Sequence, residues 1–120
     1  MPKTTVVRYK THPQHADENA ALVRAVFQAL QVARPAGLRY QCLRGLDAVT
    51  FTHLATLDDA LAVHPLTSLP AFQAFLAGLR TRCAEPPALV DSELLGRYES
   101  EHLGVSPERP DVDPVPARSS

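Results

Sequence analysis

The feature that most constrains this chain is the order in which its hydrophobic periodicity changes. Residues 4–11 are rich in β-branched side chains and alternate as a strand does. Past Pro13, Asp17 and Glu18 place negative charge where a helix N-terminus favours it. Leu22, Val23, Val26, Phe27 and Leu30 then recur at steps of one, three and four, forming one apolar helical stripe. Pro35 and Gly37 predict the end of this helix near Arg34. Period two returns with Leu38, Tyr40 and Cys42 on one face, a turn over residues 44–47, and a strand over 48–56. That strand sets Val49, Phe51, His53 and Ala55 against Thr50, Thr52 and Leu54.

Residues 57–67 read as a connection with a short helical turn near Asp58 and Ala62. Ser68 is a good N-cap ahead of Pro70, and Phe72, Phe75, Leu76, Leu79 and Cys83 continue as a second helical stripe that Pro86 and Pro87 close. A last strand is predicted over 89–99, with Val90, Leu94 and Tyr98 on one side. The order strand, helix, strand, strand, helix, strand is that of an α+β, ferredoxin-like βαββαβ domain, with an antiparallel sheet and both helices on one face. Phe51 opposes Leu54 and Tyr40 opposes Leu43, so apolar side chains fall on both faces of the sheet. Pairing two sheets face to face would cover the side that the helices leave bare, giving a dimeric α/β barrel. The domain is expected over residues 1–100. Four of the 11 prolines fall in 101–120, which reads as a flexible, proline-rich tail.

Composition narrows the function classes. With 12 Lys+Arg against 13 Asp+Glu there is no basic field for nucleic acid or an anionic membrane, and the absence of Trp removes stacking platforms. No apolar run approaches the ~20 residues that span a bilayer, and residues 1–10 lack the apolar core of a signal peptide. Cys42 and Cys83 read as buried free thiols, and the expected location is the cytoplasm.

His53 is the candidate catalytic residue. An imidazole on an apolar strand face suits a general base or a hydrogen-bond donor to a ligand. The alternative is a buried histidine satisfied by a neighbouring side chain. Tyr9 and Tyr40 lie on strands expected beside it, and a phenol with an imidazole suits a phenolic or carbonyl ligand; with Phe51 and Phe72 they are the candidate ligand-binding residues. Arg8, Arg39 and Arg97 are weighed as a carboxylate fork and His12, His15 and Asp17 as a metal cluster, neither with a recognised pattern. Cys83 continues an apolar stripe and reads as core rather than nucleophile. No glycine-rich phosphate loop and no Gly-x-Ser-x-Gly elbow occurs, and the His12, His15 and Asp17 spacing is not a recognised ligand set, so no cofactor and no metal is expected.

Several stretches carry a family resemblance. They are Ala16, Asp17, Glu18 and Asn19 opening the first helix; the run from Arg34 through Pro35 and Gly37 to Tyr40; Val49 to His53; Leu69 to Phe75; and Arg82 and Cys83 before Glu85, Pro86 and Pro87. On these the chain resembles the dimeric α/β barrel superfamily that includes the antibiotic biosynthesis monooxygenase-like proteins, and in particular its small members of unknown function. The resemblance spans residues 4–98. It implies a ferredoxin-like protomer, a homodimer, and a cavity between sheet and helices. It also implies chemistry on aromatic compounds without metal or flavin, or haem degradation, in which His64 would be an axial ligand. Those active sites lean on a Trp, and this sequence has none. The functional expectation is a small-molecule-binding protein, acting as a cofactor-independent oxygenase or isomerase on an apolar or aromatic metabolite. The competing reading is a non-enzymatic dimeric interaction or stress-related module.

Overall fold

A computed structural model describes residues 3–58 and 64–100. Strand β1 (Lys3–Thr11) leads through a 3-10 turn (Pro13–His15) into helix α1 (Ala16–Ala33). Strands β2 (Leu38–Arg44) and β3 (Thr50–Leu57) form a hairpin, followed by helix α2 (Pro70–Ala77), a single turn α3 (Leu79–Arg82) and strand β4 (Cys83–Ser92). The sheet order is β2-β3-β1-β4, antiparallel at every step, as the ferredoxin-like topology requires.

Local chemistry explains the element ends. α1 stops where Arg34 turns left-handed (φ 48°) and returns its N–H to the Leu30 carbonyl at 2.8 Å, after which Pro35 can no longer extend the ladder. The β2–β3 turn is organised by Asp47, whose carboxylate accepts the Val49 and Thr50 N–H groups and the Thr50 hydroxyl at 2.6–3.0 Å.

Period two assigns Tyr9, Tyr40, Cys42, Phe51 and His53 to the face beneath the helices. There Tyr9, Ala20, Val23, Val26, Phe51, Leu66, Phe75 and Leu79 form the buried core. α1 and α2 lie against each other over this face. Val6, Leu43, Leu54 and Val90 project to the other side, where Leu43 and Val90 are each 58% exposed.

The second half departs from the sequence reading in four places. The second helix does not continue to Cys83: Gly78 interrupts it after Ala77, and Cys83 opens a strand. Pro86 and Pro87 do not close a helix but lie inside β4. They are tolerated because β4 is an edge strand and because its register against β1 shifts there, from Arg8 opposite Ala88 to Lys10 opposite Glu85. β4 therefore covers Cys83–Ser92 rather than 89–99; residues 93–100 have no regular structure, and Leu94 and Arg97 lie against Thr4, Gln41, Leu54 and Thr56 on the open face. Ser68 is not the N-cap. Leu69 holds that position, and the Ser68 hydroxyl donates to the Pro65 carbonyl. The turn expected near Asp58 and Ala62 lies largely outside the described residues, as does the tail over 101–120.

Candidate functional site

A cavity of about 410 Å³ opens between the covered face of the sheet and α2. Val7, Ala55, Leu66, Phe72, Phe75, Leu76 and Leu79 form an apolar wall, with Tyr9, Tyr40 and His53 as the polar end and Lys3, Thr5, His64 and Asp91 around the rim. Its size and largely apolar lining with few convergent polar groups are those of a small-molecule site.

The strand register explains the polar end. β1 and β3 pair Val7 with His53 and Tyr9 with Phe51, and β2 and β3 pair Cys42 with His53 and Tyr40 with Ala55. Same-face diagonal neighbours on adjacent strands are within reach of long side chains. His53 is thus held from both sides: its Nε2 is 2.8 Å from the Tyr9 hydroxyl and its Nδ1 2.6 Å from the Tyr40 hydroxyl. The Cys42 Sγ lies 3.5 Å from Nε2. Behind Tyr9 the chain continues into α1, where the Asn19 Nδ2 donates to the Tyr9 hydroxyl at 2.9 Å. Asn19 Oδ1 in turn accepts from Arg82 Nε at 2.9 Å. Arg82 Nη2 donates to the Phe75 carbonyl at 2.6 Å, and the guanidinium lies over the Phe75 ring. Five side chains from five elements form one hydrogen-bonded row ending at the cavity.

Burial sets the protonation of this row. It pulls His53 down to about 4, so the imidazole is neutral at neutral pH. It raises both phenols well above their ordinary range and pushes the Cys42 thiol up to about 11. The site is a neutral, desolvated donor–acceptor array with one charge, the guanidinium, at its inner end.

Of the residues singled out in the sequence, His53, Tyr9, Tyr40 and Phe72 come together at this cavity. Phe51 does not line it: the ring is 1% exposed and packs in the core, stacked on Tyr9 at 5.6 Å. The arginine fork does not form, since Arg8 lies on the open face and Arg39 and Arg97 meet there. His12 and His15 have ring centroids 6.2 Å apart, but Asp17 is bound by Arg44 at 2.9 Å and His15 by Glu18 at 3.2 Å. Among the described residues no three His, Cys, Asp or Glu side chains gather around a possible metal position. His64 sits at the rim with its Nδ1 accepting the Leu66 N–H. Both cysteines are free, and burial raises the Cys83 thiol, in keeping with an unreactive role.

Sequence reasoning missed Asn19 and Arg82. Each had a signal: Asn19 falls on the stripe of Ala16, Ala20, Val23 and Val26, and Arg82 follows Phe75 and Leu79 at helical spacing. A polar side chain on a buried stripe must find a partner, and these two found each other.

No protein-family model and no curated protein matches the sequence. Solved structures do match the fold. A candidate antibiotic biosynthesis monooxygenase from Bacteroides thetaiotaomicron superposes with a TM-score of 0.69 at 16% identity, over 84% of this chain and 96% of that one. A Mycobacterium tuberculosis protein gives 0.66 at 16% identity, over 82% and 100%. A candidate antibiotic biosynthesis monooxygenase from Caulobacter crescentus gives 0.65 at 18% identity, over 79% and 91%. At such identities the likeness establishes the ferredoxin-like α+β fold that this chain shares with antibiotic biosynthesis monooxygenase-like proteins.

Proposed function

We propose that the cavity binds a small apolar or aromatic metabolite bearing an oxygen atom, and that the His53–tyrosine row moves a proton at that oxygen. The reaction class is isomerisation or the proton step of a cofactor-independent oxidation. The observation that carries this reading is a neutral imidazole clamped between two phenols at the polar end of an otherwise apolar cavity. Apolar walls hold a hydrocarbon body, and buried donors and acceptors discriminate strongly against ligands that cannot satisfy them. His53 is the catalytic residue in this proposal, with Tyr9, Tyr40 and Phe72 in contact with the ligand. The structural neighbours named as candidate monooxygenases support the same direction at the level of fold.

A suitable probe is α-tetralone, an aromatic ketone, compared with tetralin, its hydrocarbon counterpart. Titration by NMR should shift the resonances of Phe72, Leu76 and Leu79, and His53→Ala should weaken α-tetralone binding by roughly tenfold, the worth of a buried hydrogen bond of ~1 kcal/mol or more. Unchanged affinity in His53→Ala would remove the histidine from the site.

The second reading, a non-enzymatic dimeric interaction or stress-related module, draws on the weak basicity of His53 and on the open sheet face. Both readings include a homodimer. Exposed Leu43 and Val90, with Val6 and Leu54 between them, form an apolar strip across strands rich in Thr, Arg and Gln. Sedimentation at micromolar concentration should give a dimer, and Leu43→Glu with Val90→Glu should give a folded monomer. A monomeric parent protein would end the dimer proposal. The free thiols support a reducing, cytoplasmic location, and among the described residues no helix is long and apolar enough to cross a membrane.

A further inference from the structure

We infer that Arg82, through Asn19, fixes the direction of every hydrogen bond in the buried row, so that Tyr40 presents an O–H donor to the cavity and the site selects ligands with an acceptor oxygen. The inference rests on the reading of the cavity as a ligand site, but its central test does not need a ligand.

One member of the row has no choice of direction. A guanidinium only donates. Arg82 is 4% exposed, and among the described residues its side chain meets the Asn19 Oδ1, the Phe75 carbonyl and the Phe75 ring, with no carboxylate among them. The Arg82 Nε therefore requires the Asn19 amide to turn its oxygen inward, which leaves the Nδ2 to donate to the Tyr9 hydroxyl. Asn19 is fully buried, so water cannot offer an alternative. With its oxygen receiving from Asn19, Tyr9 satisfies its own hydrogen on the His53 Nε2 at 2.8 Å. A neutral imidazole with Nε2 accepting carries its proton on Nδ1, and that N–H points at the Tyr40 oxygen 2.6 Å away. Tyr40 has no further hydrogen-bond partner among the described residues, and it lines the cavity. Its hydrogen is the free end of the row.

The opposite polarity fails at Tyr9. If Nε2 carried the proton, the Tyr9 oxygen would receive from both Asn19 and His53, and its own hydrogen, on a residue 2% exposed, would have no protein acceptor among the described residues. Arg82 and Asn19 are thus positioning residues: neither reaches the cavity, and both act on it by setting which atom of His53 bears hydrogen. The site is matched to a ketone, quinone or carboxyl ester carbonyl. A purely hydrocarbon ligand leaves the Tyr40 hydrogen unsatisfied.

The tautomer of His53 is the direct readout, since bare and protonated ring nitrogens have well-separated 15N shifts. In the parent protein Nδ1 should be protonated and Nε2 bare, the reverse of the tautomer that free histidine prefers. Asn19→Asp keeps a partner for Arg82 but replaces the amide donor with an acceptor, so Tyr9 should turn to the new carboxylate, and the tautomer should switch to Nε2–H. The parent should also favour α-tetralone over tetralin by roughly tenfold, and Asn19→Asp should remove most of that preference. A parent protein with Nε2 protonated overturns the inference by itself, whatever the variant does. So does a folded Asn19→Asp protein that keeps the parent tautomer. If the tautomers behave as stated but neither probe binds, the directional row stands and the ligand-site reading falls.

Discussion

Between about pH 7 and pH 4 the protein should lose about 3 kcal/mol of unfolding free energy through one side chain, His53. Burial depresses this imidazole from its ordinary 6.5 to about 4 in the folded chain. In the unfolded chain it takes up a proton near the ordinary value. Below 6.5 the unfolded state therefore binds more protons than the folded one, and stability falls with pH until the folded state is also protonated near 4. Above 6.5 the contribution is fully present, and below 4 the slope from this group ends. Each unit of depression is worth about 1.4 kcal/mol, so the whole window amounts to a sizeable part of the ~5–15 kcal/mol that holds a domain together. Protonation also demands a donor where the row needs an acceptor, because Tyr9 gives its hydrogen to Nε2. Asp47 works in the same sense, its carboxylate held down to about 2 chiefly by the Thr50 hydroxyl, but its contribution is lost only below the ordinary carboxylate value and so outside the histidine window. Urea unfolding at a series of pH values should show the slope, and His53→Phe should flatten it between 6.5 and 4 while leaving the steeper acid limb. Parallel profiles for the two proteins would mean that His53 reaches solvent before unfolding.

The polar end of the site was readable because strand periodicity is strict. Once residues 48–56 form a strand, Phe51, His53 and Ala55 share a face, and the ferredoxin-like order places Tyr9 and Tyr40 on the two strands beside it. Asn19 and Arg82 were not readable as a pair: 63 residues separate them, and only the packing of α1 against α3 brings the guanidinium to the amide. The course of the second helix was misread for a related reason. Leu79 and Cys83 continue the spacing of Phe72 and Phe75, but periodicity does not register that pairing with β1 holds Cys83 in a strand, nor that a register shift at an edge accommodates two prolines. Phe51 shows the limit of the face argument itself. Period two gives the side of the sheet on which a ring lies, while the helices decide whether that ring meets a cavity or a packed neighbour, and Phe51 falls beneath α1 among Ala20 and Val23.

Two alanine substitutions should separate core from cavity. Phe51→Ala is expected to cost about 3–5 kcal/mol, because a ring that is 1% exposed leaves a void that close-packed neighbours cannot fill. The Tyr9 ring loses its stacking partner and Arg44 the ring beneath its guanidinium. Phe72 is half-buried, with its centroid 5.9 Å from that of Phe75, and its outer face belongs to the cavity wall. Phe72→Ala should therefore cost only about 1 kcal/mol of stability, while weakening α-tetralone binding by roughly tenfold as apolar contact with the ligand is lost. Chemical denaturation gives the first quantity and titration the second, and the two variants should lie on opposite axes. Equal losses of stability would mean that α2 closes onto the sheet more tightly than the cavity implies. A Phe72→Ala protein that binds the ketone as the parent does would place the ligand elsewhere, because among the described residues Phe72 is the partly exposed ring on α2 that packs on Phe75, whose own ring meets His53.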